Sequence, residues 1–242
     1  MIARSEELAV AGIPEPVWTD TWHPISHKRC IENLTSVFDH MNLPVIRKDY
    51  SLSKDNNQVF ASWVLDKREI DGLSPTVIWR NSTDKQFPFG IAGGTHTFIC
   101  SNLAFTADSF LEFRKHTKGM DDGELYRVML SGVEKILPLT DSFSKWHLSL
   151  HDVKLSYGEM KELAYDAIIN EVVSRRKVNQ FNEMLFGEQP SYTWNELHGF
   201  HGACTELMRD TNMTNSMSRQ ASLFSFISER YGKYLPEIKT VQ

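Results

Sequence analysis

VIRKDYSLSKDNNQVFASWVL, residues 45–65, decides the fold. Its first eight residues, Val45 to Leu52, alternate apolar and polar, which in an extended chain sends the two kinds to opposite faces. The polar break Lys54-Asp55-Asn56-Asn57 follows, and Val59 to Leu65 is then a run of strand formers. Two such runs across a polar turn make a hairpin. A second pair comes next, Thr76 to Ser82 and Phe89 to Cys100, with Gly93 and Gly94 marking a bulge or bend. Four sequential strands of this kind read as an antiparallel meander with one covered face.

The cover lies upstream. Ser26 is a good N-cap, and Ile31, Leu34, Val37, Phe38 and Met41 recur at helical spacing before Pro44 ends the run. A helix from Ser26 to Met41 is therefore expected to pack across the sheet. The first 21 residues carry Gly12, Pro14 and Pro16 without a period and read as an arm. After Asn102 the pattern predicts helices over Ala107 to Lys118, Glu124 to Leu137 (stopped by Pro138) and Asp141 to His151. Capping boxes at Ser156/Glu159 and Thr193/Glu196 open two more, to Lys177 and Asp210, and a last helix spans Ser216 to Tyr231. The fold class is α+β: a four-stranded antiparallel meander with an N-terminal helix packed on it, followed by a helical C-terminal half. The organisation is an arm (1–21), a sheet core (22–118) and a helical region (119–242) packed on or hinged to it near Lys118 to Gly123.

At 242 residues and 41% hydrophobic, the chain can bury a core without disulfide or metal staples. Cys30, Cys100 and Cys204 are odd in number and far apart, so they read as buried thiols and not as a disulfide framework. No apolar run approaches the roughly 18–20 residues of a membrane span. Glu6-Glu7 stands where a signal peptide wants basic residues, which points to the cytoplasm. A net charge of −5 argues against coating duplex DNA by charge alone, yet leaves room for a local basic groove.

Catalytic signatures are missing. No G-x-S-x-G elbow, P-loop or dinucleotide-binding glycine pattern occurs, and Asp121-Asp122 reads as a solvated loop pair. His147 and His151 share one helix face, as do His198, His201 and Cys204, but neither set brings the further ligands a closed metal site requires. No metal, cofactor or catalytic residue is expected. Gly199, Gly202 and Ala203 read as a small-residue face that lets another helix approach.

RNSTDKQFPFGIAGGTHTFICSNLAF, residues 80–105, followed by Arg114 to Gly119, resembles the core of a phage/plasmid-like family known as a domain of unknown function (number 932). The family's R-N-S-H-D-K-S turn falls on Arg80 to Gln86, its V-C-x-N-L segment on Ile99 to Leu103, and its R-x-H-T motif on Arg114 to Thr117. Trp194 and Thr205-Glu206 resemble a looser C-terminal motif, and the likeness spans roughly residues 22–230. Thr83 replaces the family's histidine in the turn, and His201 stands where the family often has Asn. The resemblance implies a mobile-element setting. The order of elements over residues 26–118 is also similar to the Red-beta type of single-strand annealing protein, an analogy of topology alone.

Three readings follow. The first is a non-enzymatic protein that binds or anneals single-stranded DNA, with a homo-oligomeric ring or filament as its expected assembly. Its contacts would be Arg80, Lys85, Arg114, Lys115 and Lys118, with Arg47 and Lys48 as further cations and Trp63 and Trp79 as stacking platforms. The second is a mobile-element protein that blocks a host defence complex. The third is a His-dependent metalloenzyme.

Overall fold

The structure, a computed structural model, describes residues 3–66, 73–97, 103–117, 121–208 and 213–238. Cys100, Ser101, Asn102 and Lys118 lie outside the described residues. The chain opens with β1 (Ala3–Ser5), α1 (Glu7–Ala11) and α2 (His27–His40). Five strands follow: β2 (Val45–Leu52), β3 (Gln58–Leu65), β4 (Leu73–Ser82), β5 (Phe89–Thr97) and β6 (Leu103–Arg114). The rest is helical: α3 (Asp122–Ser149), α4 (Tyr157–Ile169), α5 (Val178–Phe186), α6 (Leu197–Met208) and α7 (Met213–Tyr231), with short 3-10 turns at Arg175–Lys177 and Gly232–Tyr234.

The four expected strands pair in sequence order and antiparallel, as β2 to β5. The sheet is nevertheless six-stranded, because β1 and β6 extend it at its two edges. The Gly93 region carries the expected irregularity, with register shifts between Ile91, Ala92 and Gly94. Ser26 caps α2 by accepting the Arg29 N–H at 3.3 Å. That helix lays Leu34, Val37 and Phe38 into one core with Trp63, Trp79 and Ile91.

Several elements depart from expectation. Residues expected as a helix over Ala107 to Lys118 instead form most of β6, paired to β5 through Phe110↔Ala92, Phe113↔Gly90 and Arg114↔Phe89. The sheet does not have one covered face only: Phe60, Val64 and Ile78, on the face opposite Trp63 and Trp79, are buried too. Pro138 does not end a helix, since α3 runs through it and joins the two segments expected to be separate. Pro138 and Glu134, whose carbonyl loses its N–H partner, both lie on the exposed side of α3. The helix opened at Ser156 stops at Ile169, where Glu171 takes a left-handed conformation (φ 59°) and Val173 N–H turns back to the Ala167 carbonyl. The second capping box does not cap: α6 starts at Leu197, and Glu196 instead bridges to Lys154.

α3 is shared by two cores. Leu125, Met129, Val133 and Ile136 pack with the sheet and α2, while Phe143, Trp146 and Leu150 pack with α4, α5, α6 and α7. Two glycines set how close α3 lies on β5. A Cβ at Gly93 would meet Ile136 Cγ2 at 2.7 Å, and one at Gly132 would meet Ile91 Cγ2 at 2.4 Å. α7 also packs against β6, so the helical region meets the sheet at two places.

Candidate nucleic-acid interface

Antiparallel pairing decides which chain ends meet. The β2–β3 turn, the β4–β5 turn and the end of β6 all fall at one end of the sheet, with Arg80 opposite Gly90 and Arg114 opposite Phe89. The register therefore brings Arg80, Lys85, Arg114 and Lys115 to a common rim. Arg80 is half-buried, its guanidinium 4.9 Å from the centre of the Phe87 ring, and burial lowers its pKa from the ordinary value. Lys85 sits in the β4–β5 turn in a left-handed conformation (φ 68°) and extends over the Trp22 ring at 4.8 Å. Arg114 is exposed and pairs with Glu124 at 3.3 Å, and Lys115 is exposed beside it.

Arg47 and Lys48 do not join this rim. They stand opposite Val64 and Trp63, about 10 Å farther along the ladder, where Asp49 and Glu7 hold them at 2.6 and 3.1 Å. Trp63 and Trp79 are no stacking platforms either: both are fully buried, 6.4 Å apart and edge to face.

The aromatic surface comes from the arm. Trp18 is 55% exposed and lies 4.7 Å from the His23 ring, and Trp22 is the half-buried ring beneath Lys85. Thr19 and Trp22 close a tight turn through reciprocal backbone hydrogen bonds, which presents both tryptophans on one short loop. This pair was missed from sequence because Trp18 and Trp22 lie in a segment without a period. The usable signal was that segment itself: two tryptophans between Pro16 and Pro24, outside any helical or alternating run, have no element to bury them.

The motif Arg80 to Gln86 organises the rim. Asn81 is buried and donates to the Ile25 carbonyl at 2.8 Å and to His27 Nδ1 at 3.0 Å. Ser82 donates to Asp84, which also accepts from Gln58 at 2.8 Å and from the Gln86 N–H at 3.1 Å. Thr83 donates to the Asn57 carbonyl at 3.2 Å, tying the two turns together. Asp84 is thus occupied by neutral donors, and these hydrogen bonds outweigh partial burial to hold its carboxyl below the usual range. Asp55 is likewise engaged by Ser53 and Asn57 within its own turn. No family model matches the chain, and neither a curated protein nor a solved structure is similar to it.

The histidines form a separate cluster at the far end of α3. His147 on α3 and His151 in the turn just beyond its end, not on one helix face as expected, meet His198 and His201 on α6, with ring centres 3.7 Å apart for His151–His198 and 5.0 Å for both His147–His198 and His147–His201. Glu196 accepts from His151 at 2.9 Å and from Lys154 at 2.6 Å at the outer edge. The two sequence pairs therefore come together, yet among the described residues no three His, Cys, Asp or Glu side chains are placed to hold a metal ion. Burial, followed by the charge of neighbouring histidines, pushes His147 down to about 3 and His198 to about 4, and drives His201 well below its ordinary value. Cys204 is buried in the helical core with its thiol pushed up by burial, and Cys30 is buried in the sheet core. Among the described residues, no helix is long and apolar enough to cross a membrane.

Proposed function

We propose that this chain is a non-enzymatic single-stranded DNA-binding protein whose contact surface is the rim built by the arm, the β4–β5 turn and the end of β6. The observation that carries the reading is the meeting of Trp18 and Trp22 with Lys85, Arg114 and Lys115 at one end of the sheet. Exposed aromatic faces stack unpaired bases, at about 1–3 kcal/mol per base, and adjacent cations take the phosphates. A duplex offers no base faces, and a chain of net charge −5 has little to hold a duplex by charge alone. Arg114 is solvent-exposed and Glu124 keeps Arg127 as a second partner, so exchanging the carboxylate for a phosphate costs little. A phage or plasmid setting, which the resemblance of residues 80–117 would imply, would make DNA the strand. A homo-oligomer would line several such rims along one strand, the arrangement that annealing requires.

The test is binding of a labelled oligonucleotide at low salt. Arg114→Ala with Lys115→Ala, and separately Trp18→Ala with Trp22→Ala, are each expected to weaken binding about tenfold or more. Wild-type affinity in both double variants would place the contact surface elsewhere. Absence of binding by the wild type would remove the DNA reading and put inhibition of a host defence complex in its place.

A further inference from the structure

The tryptophans are useful only if the arm is held against the sheet, and the hydrogen bonds there have a defined polarity. Ile25 is gripped from both sides: its N–H donates to His116 Nδ1 at 3.0 Å, and its carbonyl accepts from Asn81 at 2.8 Å. The His23 N–H donates to the His116 carbonyl at 3.2 Å. His27 Nε2 lies 3.1 Å from the Asn56 carbonyl, which only accepts, so the His27 proton is on Nε2 and Nδ1 is free to accept from Asn81. His116 Nδ1 accepts from a backbone N–H, so its proton is on Nε2. Each ring is fixed in one neutral tautomer by what it touches.

We propose that Asn81, His27 and His116 are positioning residues that clamp residues 23–27 onto the ends of β4 and β6, setting Trp18 and Trp22 over the rim, and that the clamp closes only while both rings are neutral. The proposal rests on the nucleic-acid reading of that rim. A proton on His27 Nδ1 would point at the Asn81 amide N–H, and one on His116 Nδ1 would point at the Ile25 N–H, donor against donor. The charges around the pair do not rescue the protonated form. Asp84 acts on His27, but its oxygens are taken by Ser82, Gln58 and Gln86; His116 faces His27 and follows directly on Arg114 and Lys115. On the neighbouring helices, Arg29 is held by Glu15 and Asp122, and Glu124 by Arg114 and Arg127. Among the described residues, Asn81 Oδ1 and His116 Nε2 are also buried without a hydrogen-bond partner, a cost that a purely structural junction would avoid.

Hydrogen exchange at the Ile25 and His23 amides reads the clamp without any nucleic acid, and oligonucleotide affinity reads its consequence. His116 goes from its ordinary value of 6.5 to about 4 when the clamp is closed. Clamp opening in the wild type, corrected for intrinsic exchange, should therefore rise at least about tenfold between pH 7.5 and 5.5, with protonation of His27 adding to the His116 contribution. His116→Asn keeps an acceptor for the Ile25 N–H but cannot titrate, so its opening and its affinity should lose the His116 part of that pH dependence, about tenfold, and keep only that of His27. Asn81→Ala should raise opening and weaken binding about tenfold already at pH 7.5. An unchanged exchange rate in Asn81→Ala, or a His116→Asn profile as steep as wild type, would overturn the clamp. If Asn81→Ala fails to fold, the His116→Asn profile decides alone. If no form binds DNA but exchange behaves as described, the rim reading fails and the clamp stands.

Discussion

Lowering the pH from 7.5 to 5 is expected to remove several kcal/mol of folding stability, well before the carboxylates begin to titrate. His147, His198 and His201 are packed ring against ring between α3 and α6, and His27 and His116 are buried under the arm. All five are held neutral below the ordinary value of 6.5, His116 and His198 until about 4 and His147 until about 3. In the unfolded chain the same imidazoles take up protons as the pH falls through 6.5. Stability is therefore full above that value and declines below it, by about 1.4 kcal/mol per pH unit for each such ring. Denaturant unfolding at pH 7.5, 6 and 5 measures this, and His147→Leu with His201→Leu should flatten the dependence. A midpoint unchanged from pH 7.5 to 5 would mean that these rings are not buried as described.

Gly199→Ala is the second large effect. The added Cβ would stand 1.8 Å from the Thr193 carbonyl oxygen and 2.7 Å from its carbon, both backbone atoms that no rotamer change can move. The loss should be about 3 kcal/mol or more, at or beyond the upper end of ordinary overpacking. Gly158→Ala is the control, because nothing lies within 4 Å of its added Cβ and it sits in the first turn of α4. That change should be neutral or stabilise by up to about 1 kcal/mol. Thermal melts of the two variants suffice, and a Gly199→Ala protein within 1 kcal/mol of wild type would show that the 192–193 loop does not pack on α6.

The same glycine shows where sequence reading stopped. Gly199 and Gly202 are a close-packing face, but they receive Thr193 and the Tyr192 ring instead of another helix. Nothing local specifies which segment fills such a face. The strands β2 to β5 and the caps at Ser26 and Ser156 were legible because alternation and capping are local signals. β6 was not: Ala107 to Arg114 mixes Leu, Glu, Phe and Arg, which suit a helix as well as a strand, and pairing with β5 decided between them. The site followed the same division. The convergence of Arg80, Lys85, Arg114 and Lys115 rested only on the short separation, Phe89 to Phe105, between the turn and an expected helix; it is the strand β6 that returns Arg114 to the end of the sheet where the β4–β5 turn lies. Which tryptophans face solvent depends on what covers each sheet face, and that is a tertiary fact. The pairing of the two histidine sets was hidden for the same reason, since it needs α3 to cross α6.

The central claim is that the rim holds a single strand by phosphate contacts and stacking together. Its most direct test is a salt titration of oligonucleotide binding by the wild-type chain, with a duplex of the same sequence alongside. Three or four neutralised phosphates predict a log–log slope of about −2 to −3 for the single strand, with duplex binding weaker throughout. No single-strand binding at about 50 mM salt, or duplex binding that equals it, would contradict the account.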